Sequence, residues 1–174
     1  MDSKELKEYI RNIPDFPKPG ILFRDITPLL SDPRAFQRVV DTLRDRYSRQ
    51  NIDKVVAIES RGFVFASPVA YELGAGFIPM RKPGKLPSRT ISEAYALEYG
   101  EAALEVHSDA ISPGDRVLVL DDLLATGGTA AAAVSLVKKL GGVVVEACFV
   151  IELKPLNGRR KLDGTPIFSL LTYD

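Results

Sequence analysis

The sequence predicts an α/β fold with a mainly parallel central sheet flanked by helices. Short continuous apolar runs, such as residues 55–58 and 117–120, are too short for helices and are typical of strands covered on both faces. Segments with helical spacing alternate with these runs, and that alternation favours right-handed crossovers between parallel strands. Polar loops at residues 59–62 and 121–129 follow two predicted strands. Because ligands of such sheets bind beyond the carboxyl ends of the strands, we expect the functional site there.

The composition indicates one globular domain over residues 1–174. The chain is 45% hydrophobic and 26% charged, and its length suits a single core. Lys+Arg and Asp+Glu both number 23, so no overall field attracts nucleic acid or an anionic membrane, and we expect neither as a partner. The lone Cys148 cannot form an intrachain disulfide, and the first residues lack the apolar core of a signal peptide. We therefore expect a soluble, cytoplasmic protein.

The first elements along the chain are two amphipathic helices. Apolar residues at helical spacing predict a short helix over residues 3–12, which a proline-rich segment from Pro14 then ends. Residues 35–47 carry apolar side chains on one helical face, and Asp32-Pro33 supplies an N-cap and a first-turn proline.

The rest of the chain alternates between strands and helices. The predicted strands or extended segments are residues 55–58, 77–80, 95–107, 116–120, 143–151 and 168–171. Predicted helices cover residues 63–73 and 129–140, and Gly74 and Gly141 end them. Residues 81–90, rich in Lys, Arg, Pro and Gly, predict a mobile loop.

The loop between the strand 116–120 and the following helix has residues suited to an oxyanion. It reads Ala125-Thr126-Gly127-Gly128-Thr129. Glycines permit close approach of backbone N–H groups, threonine hydroxyls donate, and the helix N-terminus adds a partial positive charge. A phosphate monoester fits such a loop, and the alternative is an ordinary tight turn with threonine caps.

Two adjacent carboxylates, Asp121 and Asp122, precede this loop. Neighbouring like charges raise each other's pKa unless hydroxyl donors or a cation face them, and a ribose diol supplies such donors. One alternative is that Asp121 only caps the strand end. Another is a magnesium-binding phosphoacceptor pair, as in response-regulator receiver domains, but that pair needs no phosphate loop directly downstream.

Other common site motifs are missing from the sequence. It contains neither the nucleoside-triphosphate P-loop pattern nor the dinucleotide pattern Gly-x-Gly-x-x-Gly. His107 is the one histidine and Cys148 the one cysteine, so we predict no protein metal cluster.

Residues 117–129 as a whole resemble the 5-phosphoribosyl 1-diphosphate binding motif of type I phosphoribosyltransferases. Four more blocks are similar to the adenine-specific members of that family, and they occur in the same order: Asp15-Phe16-Pro17-x-Pro19-Gly20-Ile21-x-Phe23-Arg24-Asp25-Ile26, Glu59-Ser60-Arg61-Gly62-Phe63, Arg81-Lys82-x-Gly84-Lys85-Leu86-Pro87 and Leu97-Glu98-Tyr99-Gly100. The similarity runs from about residue 12 to residue 174. Several blocks in one order argue against chance similarity.

The resemblance implies an activity and a cofactor. The enzyme would transfer the 5-phosphoribosyl group from 5-phospho-α-D-ribose 1-diphosphate to adenine, giving AMP and diphosphate in purine salvage. Mg²⁺ would be held mainly through the diphosphate and the ribose hydroxyls. The type I phosphoribosyltransferase fold would include a small N-terminal hood over about residues 1–34 and a flexible catalytic loop with flanking strands over about residues 81–107.

The resemblance also assigns residues to the donor. Asp121 and Asp122 would hold the ribose hydroxyls. The 5′-phosphate would be bound by Ala125, Thr126, Gly127, Gly128 and Thr129. The diphosphate would be bound by Ser60 and Arg61, which a cis peptide would join. In a homodimer, a diphosphate in the neighbouring subunit would be reached by Arg81, Lys82 and Lys85.

Adenine and the proton it loses are assigned in the same way. Leu22 and Arg24 would meet adenine mainly through backbone groups, with Phe23 stacking nearby. Glu98 would handle the proton, a role that commonly contributes about 10² to 10⁴-fold. Arg61 would stabilise the charge that develops on the departing diphosphate. One departure is Glu59, where relatives often carry aspartate.

Two other functions remain open from the sequence. A phosphoribosyltransferase for another purine base would share nearly all of these residues, because backbone groups dominate the base contacts. A non-catalytic sensor of phosphoribosyl diphosphate would keep the same pocket but needs a binding surface elsewhere, and no helix-turn-helix block is apparent.

Overall fold

The computed structural model describes residues 2–96, 100–162 and 164–174. They form two compact units, Met1–Leu43 and Arg44–Asp174. The single domain over the whole chain therefore stays a prediction. No helix among the described residues is long and apolar enough to cross a membrane.

The first unit begins with a short helix and a two-stranded sheet. Helix α1 spans Ser3–Lys7, and the Asp2 carboxylate accepts the backbone N–H groups of Lys4 and Glu5 at 2.8 and 2.9 Å. Strand β1 (Arg11–Pro14) pairs antiparallel with β2 (Leu22–Asp25). The predicted helix over residues 3–12 is thus wrong beyond α1, because pairing with a distant strand overrides the local helical spacing.

Two helices follow β2. Helix α2 spans Thr27–Ser31, and helix α3 spans Pro33–Tyr47. The Asp32 carboxylate accepts the backbone N–H groups of Arg34 and Ala35 at 3.0 and 2.8 Å, so the predicted cap of α3 is confirmed.

The second unit contains a five-stranded sheet. Its strands are β3 (Lys54–Ile58), β4 (Gly76–Met80), β7 (Arg116–Leu124), β8 (Val143–Leu153) and β9 (Ile167–Tyr173). Their order is β4-β3-β7-β8-β9, and each neighbouring pair is parallel. The predicted mainly parallel sheet is confirmed.

Helices and a hairpin complete this unit. Helix α4 (Arg61–Leu73) connects β3 to β4 and ends at Gly74, whose φ of 65° needs a glycine. Strands β5 (Thr90–Ala96) and β6 (Glu101–His107) form an antiparallel hairpin. Helix α5 (Gly128–Lys139) connects β7 to β8. Two 3₁₀-helices, η1 (Lys154–Leu156) and η2 (Gly158–Leu162), lie between β8 and β9.

One core cluster of the second unit lies between the sheet and α5. Val119, Phe149 and Leu136 are fully buried within one apolar cluster. The small side chains Ala130 and Ala133 bring α5 close to the strands, so the loop that precedes α5 has a fixed base.

Strand β7 is longer than the sequence predicted. The prediction ended it at Leu120, but its ladder with β8 continues as far as the pair Leu124–Glu152. Asp121 and Asp122 are therefore strand residues rather than the start of a loop.

Candidate active site

The two aspartates lie where β7 loses one of its neighbours. The ladder between β3 and β7 ends at the pair Ala57–Leu120, whereas the ladder with β8 runs on to Leu124. The next residues of β7 consequently have one side open to a cavity, as expected for ligand sites at the carboxyl edge of a parallel sheet.

Asp121 and Asp122 have different surroundings. The Arg61 Nε lies 2.7 Å from Asp122 Oδ2, and the Asp122 side chain is 8% exposed. The Asp121 carboxylate accepts the backbone N–H of Asp122 at 2.9 Å. Burial, and next the charge of Asp122, raise the pKa of Asp121 well above its usual value. The pair therefore has one carboxylate held by a cation, Asp122, and one, Asp121, that gains from hydroxyl donors.

The start of α4 fits closely against Asp121. A Cβ atom on Gly62 would lie only 2.7 Å from Asp121 Oδ1 and 3.4 Å from the Leu120 carbonyl oxygen. Glycine at this position lets the helix N-terminus, with its partial positive charge, approach the carboxylate. Sequence reasoning treated Gly62 as part of a turn and missed this role.

The predicted phosphate loop lies between β7 and α5. Gly127 has φ of 80°, and α5 begins at Gly128. A cavity of about 80 Å³ is lined by Asp121, Leu123, Leu124, Ala125, Thr126, Gly127, Gly128, Thr129 and Ala130. The predicted loop residues thus surround one small recess at a helix N-terminus, the arrangement that binds phosphate.

A larger cavity of about 460 Å³ brings most of the predicted donor residues together. It is lined by Ile58, Glu59, Ser60, Arg61, Lys82, Tyr95, Leu104, Asp121, Asp122, Leu123, Ala125 and Thr129. A cavity of similar volume beside α5 is lined mainly by lysines and apolar residues. We place the site at the 460 Å³ cavity because the two carboxylates, Arg61 and the phosphate loop meet there.

The segment predicted to bind diphosphate contacts Glu59 through two of its cations and one backbone N–H. Its Oε1 accepts the Lys82 backbone N–H at 2.6 Å, and its Oε2 lies 3.1 Å from Lys85 Nζ and 3.6 Å from Arg81 Nη2. Burial by itself raises the pKa of Glu59, but these hydrogen bonds and cations hold it below its usual value. Glu59 therefore anchors the loop that carries all three cations.

The cis peptide of this region is displaced by one bond from its predicted place. It joins Glu59 and Ser60, so the expectation of a cis bond between Ser60 and Arg61 is wrong.

Sequence reasoning missed the part of the site that lies behind the phosphate loop. A Cβ atom on Gly127 would lie 2.2 Å from the carbonyl oxygen of Gly158 in η2. A Cβ atom on Gly128 would lie 3.3 Å from Tyr95 and 3.8 Å from Lys161 Nζ. These contacts join segments far apart in the chain, so no local pattern indicates them.

Some predicted residues lie elsewhere. Glu98 lies outside the described residues. Leu22, Phe23 and Arg24 form β2 in the first unit, where the Phe23 ring meets Phe16 edge to face at 5.1 Å. Among residues 2–96, 100–162 and 164–174, no group of three or more His, Cys, Asp or Glu side chains could hold a metal ion.

Comparison with known proteins defines the family. Residues 26–169 match the phosphoribosyl transferase domain. An adenine phosphoribosyltransferase from Geobacter metallireducens is 57% identical over 97% of this chain and 99% of its own length. The crystal structure of adenine phosphoribosyltransferase from Thermoanaerobacter pseudethanolicus has a TM-score of 0.95 at 51% identity, covering 98% of this chain and 99% of that one.

A third relative has been solved with ligands. The Saccharomyces cerevisiae adenine phosphoribosyltransferase, in complex with an imino-altritol bisphosphate and adenine, has a TM-score of 0.92 at 43% identity and covers 97% of this chain and 98% of that one. These likenesses confirm the predicted fold and span nearly the full length of both chains. The chain therefore belongs to the phosphoribosyl transferase domain family and, within it, to the adenine phosphoribosyltransferases.

Proposed function

We propose that the protein transfers the 5-phosphoribosyl group from 5-phospho-α-D-ribose 1-diphosphate to adenine, giving AMP and diphosphate. The observation that carries this proposal is the meeting of Asp121, Asp122, Arg61 and the phosphate loop on one cavity. Relatives named for the same activity support it.

The 5′-phosphate and the ribose bind along the end of β7. The phosphate occupies the recess formed by residues 125–129, where backbone N–H groups and the α5 N-terminus face it. The ribose hydroxyls donate to Asp121 and Asp122. Hydroxyl donors offset the unfavourable burial that raises the pKa of Asp121, so the pair suits a diol better than water alone.

The reaction breaks the bond between the anomeric carbon and the diphosphate. A ring nitrogen of adenine attacks that carbon, the diphosphate leaves with the bonding electrons, and the nitrogen gives up its proton. Arg61 and Ser60 lie on the cavity wall beside the aspartates, where they stabilise the charge that develops on the leaving group. Lys82 also lines this cavity of its own chain.

Magnesium fits this site as a partner of the donor rather than of the protein. Mg²⁺ prefers oxygen ligands and commonly combines one or two carboxylates with substrate phosphates. In this proposal the diphosphate and the ribose hydroxyls supply most of the oxygens, and among the described residues no group of three or more His, Cys, Asp or Glu side chains could hold the ion by itself. When bound, the ion neutralises charge on the diphosphate.

The base is held by residues of β2, and its proton passes to Glu98. Phe16 is 50% exposed and Leu22 is 46% exposed, so the first unit presents apolar surface that suits a flat purine. In the proposal Leu22 and Arg24 meet adenine mainly through backbone groups and Phe23 stacks nearby, with its ring also in edge-to-face contact with Phe16. Glu98→Gln should lower turnover at saturating adenine about 10²-fold or more, and unchanged turnover would remove Glu98 from the mechanism.

The active form is a homodimer in this proposal. Helix α4 exposes two large apolar side chains, Tyr71 at 84% and Val64 at 39%, which suits a protein–protein contact. In the dimer the loop anchored by Glu59 supplies Arg81, Lys82 and Lys85 to a diphosphate in the neighbouring subunit. Sedimentation equilibrium should give twice the chain mass of 19.1 kDa; a monomer at assay concentration would contradict the dimer.

The deciding experiment is a base panel. Purified protein, Mg²⁺ and the diphosphate donor are incubated with adenine, hypoxanthine, guanine or a pyrimidine, and nucleotide monophosphate is measured by chromatography. AMP from adenine supports the proposal. Its absence overturns the proposal, and product from another base alone would assign a different phosphoribosyltransferase.

A further inference from the structure

The phosphate loop rests on the backbone of η2. A Cβ atom on Gly158 would lie 2.3 Å from the Ala125 carbonyl oxygen and 3.1 Å from the Gly127 nitrogen. The same contact excludes a side chain on Gly127, where a Cβ atom would lie 2.2 Å from the Gly158 carbonyl oxygen. Both glycines are buried. The two backbones therefore meet with no room for a side chain on either one.

The position of η2 is set by an ion pair. Arg159 Nε donates to Glu152 Oε1 at 2.6 Å, and Arg159 Nη2 donates to Glu152 Oε2 at 2.7 Å. The same guanidinium reaches Ser169 Oγ on β9 at 3.4 Å. A two-bond pair of this kind fixes both the distance and the orientation of the guanidinium.

Glu152 connects this pair to the end of β7. Glu152 stands opposite Leu124, the last residue of β7, and it is 4% exposed. The hydrogen bonds from Arg159 lower the pKa of Glu152 against the effect of its burial, so the carboxylate stays ionised. The chain thus runs from the β7 end through residues 125–126 to the buried contact of Gly127 with η2. The β7 end and η2 are both tied to Glu152.

We propose that Glu152 and Arg159 are positioning residues for the 5′-phosphate: their ion pair holds η2 so that Gly158 supports the loop 125–129 in its phosphate-binding shape. Neither side chain is assigned a contact with substrate. They act through Gly158, whose carbonyl oxygen and Cα form the surface on which Gly127 lies. The inference rests on the proposed function, because it assumes that the loop binds the 5′-phosphate.

If this role is correct, changes in the position of η2 should weaken the binding of ligands that carry a 5′-phosphate and spare those that lack it. Ribose 5-phosphate and AMP carry this group, whereas inorganic diphosphate does not. A loop displaced by about 1 Å costs roughly 10²-fold when it positions a reacting substrate. Gly158→Ala requires a shift of that order, since a contact of 2.3 Å must open to van der Waals distance. Arg159→Lys keeps the charge opposite Glu152 but loses the two-bond geometry.

The test measures binding by titration calorimetry with ribose 5-phosphate and, separately, inorganic diphosphate in the presence of Mg²⁺. Arg159→Lys should weaken ribose 5-phosphate roughly tenfold, the size typical of losing an outer-shell partner, and leave diphosphate binding unchanged. Gly158→Ala should weaken it more than Arg159→Lys does, because the added Cβ atom displaces the loop backbone itself. Arg160→Lys is the matched control, because Arg160 is the next residue of η2 and is exposed. This variant should bind both ligands with wild-type affinity.

Several results are informative, and they separate this inference from the proposed function. If Gly158→Ala does not fold, Arg159→Lys still decides the question. If the affinities for ribose 5-phosphate and diphosphate fell equally, the variant would have lost structure generally, and the positioning role would be overturned. Wild-type affinity of Arg159→Lys for ribose 5-phosphate would overturn it as well. If the wild-type protein binds neither ribose 5-phosphate nor the diphosphate donor, the proposed function itself fails.

Discussion

Asp121 and Asp122 show how much surroundings alone distinguish two identical side chains. Asp122 is neutralised by Arg61 at 2.7 Å, whereas Asp121 has the backbone N–H of Asp122 as its hydrogen-bond donor. The sequence predicted that the two carboxylates would act together at a strand end, but it did not indicate which one Arg61 would bind. That choice depends on where α4 begins relative to β7, and it is a three-dimensional property.

Arg61 should be sensitive even to a conservative change. Arg61→Lys removes the planar guanidinium that pairs with Asp122 and that stabilises the leaving diphosphate in our mechanism. We expect kcat/KM to fall about 10² to 10³-fold, as when a single donor to a developing anion is lost. Steady-state kinetics with the donor varied measures this. A variant with wild-type kinetics and unaltered circular dichroism would exclude Arg61 from catalysis.

Asp121→Asn should change how stability depends on pH. The folded state raises the pKa of Asp121, so ionising it destabilises the fold as pH rises above the unfolded-state pKa near 3.8. Asparagine does not ionise, and the variant should therefore gain stability over wild type as pH increases from 4 to 8. Urea unfolding at several pH values tests this. A constant difference across that range would contradict the raised pKa.

At the level of secondary-structure elements, the strands and helices of the second unit were largely predictable. Buried runs such as β3, and helices with glycine at their ends such as α4, have strong local patterns. The β1–β2 pair, η1 and η2 were not predicted. Their sequences are short and weakly patterned, and what forms them is contact with residues distant in the chain.

The approach of α4 to β7 depends on one missing side chain. Gly62→Ala would place a Cβ atom 2.7 Å from Asp121 Oδ1, and the resulting overpacking should cost about 1–3 kcal/mol of unfolding free energy and reduce activity. Chemical denaturation and kinetics measure both effects. The matched control is Gly76→Ala, which would meet mainly the flexible end of Lys54 at 3.0 Å and should be tolerated. Equal losses in both variants would remove the special role of Gly62.

At the scale of the whole second unit, Glu146 on β8 is a polar group outside the site with several long-range hydrogen bonds. It accepts from Arg46 Nε at 2.7 Å and from the Tyr47 hydroxyl at 2.6 Å, and these residues are about a hundred positions away in the chain. Composition and periodicity predicted an α/β fold, but they contain no information on such pairs. Long-range polar contacts are specified by the finished fold, and for that reason Glu146 was not recognised from the sequence.

Replacing the Glu146 carboxylate should lower the free energy of unfolding, and this loss should grow as the pH rises. Asp121→Asn should show the opposite trend. Burial by itself raises the pKa of Glu146, but hydrogen bonds from Arg46 and Tyr47 bring it below its usual value of 4.5. Its contribution is present above that pH and is lost as the pH falls through the folded-state pKa. Glu146→Gln should therefore lose about 1–3 kcal/mol at pH 7 and little at pH 3. Thermal unfolding at both pH values checks this, and an equal loss at pH 3 would argue against the ionic contribution.

The unequal lengths of two neighbouring strands have a consequence for the size of ligand that the sheet can accept. Strand β7 continues four residues past its last pair with β3, from Leu120 to Leu124. At about 3.3 Å per residue, that overhang is a ledge about 13 Å long. The ledge is a property of register and not of any side chain. An insertion that lengthened β3 by one residue pair would shorten this ledge without changing any residue of β7. The length of sugar phosphate that can lie along β7 is therefore set by the length of β3.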